Sequence, residues 1–306
     1  MTPAQLTPHR ASRVWVTVTG AQPAARMAAL RAVPTDPPTD RPSDRPSDRL
    51  RAVAVLLPGY TGSKEDFAAL LDPLCGVGLA VLALDLPGQY ESPGPDREQD
   101  YYPDPLGRTI AALVTELAAG GDRVLLLGHS YGGLVARSAV LAGAPVTGLT
   151  LLDSGPGALP QGQRRALIDA TEPVLRAQGI AAVQRLLEAR NGIVEPPELA
   201  ALLRDRFLHS SSVGLLGMAT GLRTEPDRVA ELAVALRTGD IRCLVVHGES
   251  EEVWPPPLQR DMADRLGAAV AIIPDAAHSP SSENPQALLD ALLPTWMSWL
   301  TTTLTP

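Results

Sequence analysis

Two cysteines in 306 residues are too few for a disulfide framework. Cys75 and Cys243 both sit in apolar surroundings, and both are expected to be free, buried thiols. Aromatic residues make up only 4% of the chain, so the core has to be packed from Leu, Val, Ile and Ala. No uninterrupted apolar run approaches the about 18 residues that would span a membrane. Residues 1–10 lack the apolar stretch of a secretory leader, so a cytoplasmic location is expected. Positive charge is also short: 26 Lys and Arg against 34 Asp and Glu leave a net charge of −8. That balance counts against nucleic acid or an anionic membrane as the main partner. There is no His-Glu-x-x-His, no Cys-x-x-Cys, and no Gly-x-Gly-x-x-Gly after a strand. Neither a metal nor a cofactor is therefore expected, and what remains is a protein acting on a small molecule.

Apolar residues account for 45% of the chain, enough for a sizeable core. Residues 13–19 alternate apolar and polar as a half-buried strand does, and the Ala-rich stretch 27–33 fits a second, antiparallel strand. Next, Asp-Arg-Pro-Ser recurs at 40–43 and 44–47, followed by a truncated Asp48-Arg49. Segment 34–49 offers no apolar face and reads as a disordered loop insertion. From residue 51 the pattern changes. Runs at 51–57, 80–86, 123–127, 147–152, 243–246 and 270–273 are apolar without alternation, as strands buried on both faces are. Helical patterns lie between them at 64–75, 106–119, 132–142 and 258–266, with a last helix at 285–300. The expected fold is α/β, a mostly parallel, doubly wound sheet spanning residues 1–155 and 238–306. Residues 156–237 break the rhythm with helical patterning alone, at 163–178, 180–189, 197–207 and 227–236. This stretch exceeds any ordinary connection and is expected to form an inserted helical cap.

The chemistry-bearing segment is Gly128-His129-Ser130-Tyr131-Gly132, which follows an apolar run and opens a helix. Gly-x-Ser-x-Gly in that setting places Ser130 on a tight, strained turn with its hydroxyl raised above the sheet. A serine hydroxyl needs a general base held by an orienting acid before it becomes a useful nucleophile. Of five histidines, His9 lies near the N-terminus and His209 belongs to the cap. His129 adjoins the serine, with its ring expected to point elsewhere, and His247 reads as a packed strand-end residue. His278 follows the last strand in Pro274-Asp275-Ala276-Ala277-His278, where a loop can bring its ring over Ser130.

Three blocks resemble the α/β-hydrolase fold-1 superfamily, cofactor-free serine hydrolases with a helical cap. They are Leu57-Pro58-Gly59-Tyr60-Thr61-Gly62-Ser63, the elbow around Ser130, and Ala277-His278-Ser279-Pro280 followed by Glu283-Asn284-Pro285. Asp85-Leu86-Pro87-Gly88 is a weaker fourth block, and Gln89-Tyr90-Glu91-Ser92 departs from the Gly-bearing form common there. The resemblance implies a triad acid after the seventh strand in a Gly-x-x-Asp-x-x-x-Pro frame. Laying Gly248 and Pro255 on that frame puts Glu251 at the acid position, a glutamate in place of the usual aspartate. Glu249 and Glu252 are expected to be solvated charges, and Asp153, after the sixth strand, is the alternative acid. The backbone N–H groups of Tyr60 and Tyr131 are the implied oxyanion donors. A serine nucleophile disfavours dehalogenase or epoxide hydrolase chemistry. The expected activity is hydrolysis of a small ester, lactone or thioester through an acyl-enzyme on Ser130. A proline iminopeptidase-type aminopeptidase, a lyase or cyclase, and a ligand-binding protein are the other activities the scaffold supports. Phe207, His209 and Met218 in the cap are the residues expected to bind substrate.

Overall fold

The computed structural model describes residues 2–21, 25–34, 51–190 and 195–301. The Asp-Arg-Pro-Ser repeats fall outside the described residues. Eight strands form one sheet in the order β1-β2-β4-β3-β5-β6-β7-β8. Their bounds are β1 Ser12–Val18, β2 Ala25–Ala32, β3 Ala52–Leu57, β4 Ala80–Leu84, β5 Arg123–His129, β6 Gly148–Leu152, β7 Arg242–Gly248 and β8 Ala269–Ile273. The hairpin β1–β2 is antiparallel, as is its junction with β4, and every neighbouring pair from β4 through β8 is parallel.

The unbroken apolar runs explain why both faces of the sheet are covered, except at β8, where the run expected to be buried forms an edge strand with Val270 and Ile272 exposed. Along β3 all six residues are buried. Val53, Val55 and Leu57 point into one core cluster, while Ala54 and Leu56 point into the other, following the two-residue period of a strand. On the first face lie α2 (Pro103–Ala119), α3 (Tyr131–Leu141), α8 (Val229–Thr238) and α9 (Pro256–Leu266). On the second lie α1 (Ala68–Gly76) and α11 (Pro285–Thr301), whose Trp296 is fully buried and donates its indole N–H to Thr150 Oγ1 at 2.9 Å. A short helix, α10 (Pro280–Glu283), precedes α11. The helix expected at 64–75 begins instead as a 3₁₀ turn, Lys64–Phe67, before α1. Both cysteines are free; Cys75 is buried, whereas Cys243 is only half-buried.

Between β6 and β7 run α4 (Gln163–Gln178), α5 (Ile180–Arg190), α6 (Pro197–His209), α7 (Ser212–Thr224) and α8. Helix α7 is absent from the sequence expectation because Gly214, Gly217 and Gly221 look like helix breakers. They are there for close approach. A Cβ on Gly217 would stand 2.1 Å from the Glu98 carbonyl oxygen, and one on Gly214 would meet the Tyr101 ring at 2.9 Å. The two ends of this helical segment are laced together by backbone hydrogen bonds. Ala158 and Leu159 N–H donate to the carbonyls of Glu225 and Leu222 at 2.8 and 2.7 Å, and Arg228 N–H donates to Pro156. Arg137 on α3, 1% exposed, donates to the Pro156 carbonyl and to the Glu225 carboxylate, fastening that neck to the sheet layer.

Candidate active site

The turn at Ser130 is made by two absent side chains. A Cβ on Gly128 would lie 2.2 Å from the Gly132 carbonyl oxygen, and one on Gly132 would lie 2.5 Å from that of Leu57. Strand β5 can therefore pass directly into α3, with Ser130 between them at φ 53° and ψ −118°. A non-glycine residue with positive φ is held only where its surroundings fix it. Here Ser130 N–H donates to the Leu152 carbonyl at 2.8 Å on the neighbouring strand.

His278, in the loop after β8, places Nε2 3.0 Å from Ser130 Oγ. Its Nδ1 lies 2.7 Å from Glu251 Oε2. The Glu251 carboxylate is buried, and its other oxygen accepts the Val253 N–H in a tight turn after β7. Burial raises the Glu251 carboxyl, but hydrogen bonds from His278 and Asp153 outweigh it and leave the group below its ordinary value. Trp254, fully buried, places its ring 6.3 Å from that of His278. Glu249 and Glu252 are exposed, and His247 is buried with Nδ1 2.9 Å from the Gly248 carbonyl oxygen.

Asp153 does not bond the imidazole. Its Oδ1 accepts the Gly248 N–H at 2.9 Å, and its backbone takes φ 44°. Burial, together with the Glu251 carboxylate beside it, pushes the Asp153 carboxyl well above the ordinary aspartate range. The two carboxyls are thus pushed in opposite directions, Glu251 toward the charged form beside His278 and Asp153 toward the protonated form. Oxygens of both carboxyls and a His278 ring nitrogen lie within 4.8 Å of one another. That spacing also fits a cation, which would have to displace the Asp153 proton and the Glu251–His278 bond.

Two neighbours of His278 escaped the sequence reading. The His129 ring does not turn away: it lies 5.2 Å from the His278 ring, and its Nε2 sits 2.6 Å from the His278 carbonyl oxygen. Burial first, then the neighbouring His278, pushes His129 down to about 4, so it is a neutral donor at ordinary pH. Glu283 braces the same loop from the other side. Its Oε2 accepts the N–H groups of Ala277 and Ser279 at 2.6 and 3.1 Å. Asn284 adds a bond to the Pro274 carbonyl at 2.9 Å. Hydrogen bonds to backbone groups leave no periodicity in a sequence. Only the resemblance of the Glu283-Asn284-Pro285 block could have flagged them.

Tyr60 follows β3, and a Cβ on Gly59 would stand 3.0 Å from Ser130 Cβ, so this loop abuts Ser130. Among the described residues no protein acceptor takes the backbone N–H of Tyr60 or of Tyr131. The Asp85 block supports the loop from below. Lys64 Nζ, fully buried, lies 2.8 Å from Asp85 Oδ2 and 2.8 Å from Glu91 Oε2, and Lys64 N–H donates to Asp85 Oδ1 at 2.7 Å. Burial first, with the Glu65 carboxylate adding to it, raises the Asp85 carboxyl to about 6 against the pull of Lys64.

Two cavities meet at Tyr60, Thr61, Arg164 and Ile168. The first, about 180 Å³, is lined by Gly59, Ser130, His129 and His278. The second, about 120 Å³, is walled mainly by Leu175, Phe207, Leu215 and Leu216 from the segment between β6 and β7. Of the three residues expected to bind substrate, Phe207 lines this second cavity. His209 does not: it is 66% exposed and paired with Asp205 one helical turn away. Met218 does not either, because it faces the other side of α7 and is buried in the main core.

Solved structures share this architecture. An esterase from Thermogutta terrifontis is 22% identical, covering 95% of this chain and 100% of its own, with a TM-score of 0.70. An esterase from Exiguobacterium antarcticum is 18% identical over 94% and 99%, with a TM-score of 0.69. A bromoperoxidase from Bacillus anthracis is 17% identical over 94% and 100%, also at 0.69. All lie at identities that speak to fold alone. Residues 54–291 match the model of the alpha/beta hydrolase family. By sequence over most of its length, and by sheet order, the chain belongs to the alpha/beta hydrolase family.

Proposed function

We propose that the protein is a serine hydrolase that cleaves small carboxylic esters through an acyl-enzyme on Ser130. The observation that carries this reading is the continuous chain Ser130 Oγ, His278, Glu251, with contacts of 3.0 and 2.7 Å. His278 Nε2 takes the serine proton as Oγ bonds to the ester carbonyl carbon, and the carbonyl electron pair moves onto oxygen. Tyr60 and Tyr131 N–H groups hold that oxyanion. Collapse of the intermediate breaks the bond to the alcohol, which leaves with the proton from His278. Water then repeats the sequence on the acyl-enzyme, releasing the acid and restoring Ser130. Glu251 keeps Nδ1 protonated and stabilises the imidazolium formed in each half.

In this scheme helices α4–α7 act as a cap that supplies substrate selectivity, while α8, expected from the sequence to belong to the cap, packs on the sheet with α3 and α9. The second cavity, apolar and joined to the first at Tyr60, takes the acyl chain. The esterases among similar structures are consistent with the ester reading.

The test is a panel of p-nitrophenyl esters, lactones and aminoacyl amides assayed with the wild type and Ser130→Ala. Ester turnover is expected to fall by orders of magnitude in the variant. Undiminished turnover by Ser130→Ala would exclude the acyl-enzyme, and amide turnover exceeding ester turnover would move the activity to the aminopeptidases.

A further inference from the structure

Gln89 occupies the segment that departs from the family pattern, lines neither cavity, and is 1% exposed. Its side-chain amide is held at both ends. Oε1 accepts the Leu86 N–H at 3.0 Å, and Nε2 donates to the Gly59 carbonyl at 2.7 Å. Those partners fix the orientation of the amide, since the flipped form would set oxygen against oxygen and N–H against N–H.

The Gly59 carbonyl and the Tyr60 N–H belong to the same peptide group. In a planar trans peptide the two point in opposite directions, so anchoring the carbonyl aims the N–H. This peptide has particular need of an anchor. Gly59 supplies the carbonyl side of the peptide and, lacking a Cβ, leaves its ψ freer than any other residue would, so the peptide can tilt unless its carbonyl is held. A flip would present a carbonyl oxygen where the oxyanion forms. Gly62 N–H also donates to the Gly59 carbonyl, at 3.0 Å, but it belongs to the same turn and would move with it. Gln89 comes from the loop after β4 and is the anchor from outside. Donation to the carbonyl also polarises the peptide and strengthens its N–H as a donor.

We propose that Gln89 is a positioning residue of the oxyanion hole, setting the direction and donor strength of the Tyr60 N–H through the Gly59 carbonyl. The proposal rests on the serine hydrolase reading. It assigns Gln89 an effect on the transition state and none on ground-state binding, because the side chain reaches no substrate.

The experiment compares the wild type with Gln89→Met, which keeps the size but removes both polar ends, and Gln89→Glu, which keeps the acceptor and, assayed across pH up to the alkaline range where its carboxyl ionises, loses the donor. kcat and KM are measured with p-nitrophenyl acetate, alongside the Ki of a trifluoromethyl ketone, whose hemiketal oxygen occupies the oxyanion position. Direct loss of one oxyanion donor costs about 10²–10³ in rate, so loosening it is expected to cost about 10–10² in kcat with KM changed less than about threefold. The Ki is expected to rise by the same factor as kcat/KM falls. Losses confined to KM, or a ketone Ki unchanged in either folded variant, would overturn the proposal. Should Gln89→Met fail to fold, Gln89→Glu alone is read by the same criteria. Ser130→Ala in the same series separates the two ideas. Abolished turnover with an unaffected Gln89→Glu sinks the positioning role only, whereas turnover surviving in Ser130→Ala sinks the hydrolase reading itself.

Discussion

Two buried carboxyls, Asp153 and Glu251, compete for one imidazole, and their protonation decides which of them orients it. Glu251 holds the hydrogen bond to His278 and is shifted toward its charged form; burial and that neighbouring carboxylate shift Asp153 toward its protonated form. Glu251→Gln is therefore expected to lower kcat by about 10³–10⁴, the order seen when an orienting carboxylate becomes an amide. Asp153→Asn, which mimics the protonated acid in shape, is expected to stay within about tenfold of wild type, since the amide keeps the acceptor for Gly248 N–H and a donor toward Glu251. Steady-state assays on one ester decide between them, and the opposite ranking would move the acid to Asp153. The same group sets a pH dependence of stability. A carboxyl whose folded pKa is raised contributes stability fully below its unfolded value, and that contribution is lost as pH rises through the folded value. Urea midpoints are expected to decline from mildly acid toward alkaline pH in the wild type and to decline less in Asp153→Asn. Ser130 and His278 were legible because a strained turn and a post-strand loop leave motifs. Both Asp153 and Glu251 were legible only as rivals, because a hydrogen bond of 2.7 Å to one of them is a fact of packing and not of spacing.

Strands were readable wherever burial on both faces produced unbroken apolar runs, as in β3 and β5. Helix α7 was not, because its glycines answer to the loop at Glu98 and Tyr101, far off in sequence. The turn Lys64–Phe67 hides a similar long-range debt. Its Lys64 looks like a surface charge in sequence, yet it is fully buried among Asp85, Glu65 and Glu91. Removing one partner of a buried ion pair leaves the others uncompensated, so Lys64→Met is expected to destabilise the fold by about 3–5 kcal/mol. Chemical denaturation followed by circular dichroism measures it, and a loss below about 1 kcal/mol would mean that the site is wetter than its burial indicates.

At the scale of the whole molecule, the tyrosine, serine, glutamate and histidine come from loops after β3, β5, β7 and β8, all at the carboxyl edge of the sheet. Parallel strands with helices on both faces leave that edge open for a site. The helices over it contribute the apolar second cavity, so filling that cavity is expected to change selectivity and leave the chemistry alone. Leu216→Trp should lower the ratio of kcat/KM for p-nitrophenyl octanoate to that for the acetate by about tenfold or more, with the acetate little affected. An unchanged ratio would place the acyl chain elsewhere.

The lacing of Ala158, Leu159 and Arg228 to the residues around Glu225 makes the helical segment begin and end at one point, held there by Arg137. Such a segment behaves as an exchangeable cassette. A different set of helices could be spliced in at the same two positions without altering the register of β6 against β7. Only the residues of that segment that stay clear of the sheet layer are free in this way, since α7 packs on Glu98 and Tyr101 and buries Met218 in the main core.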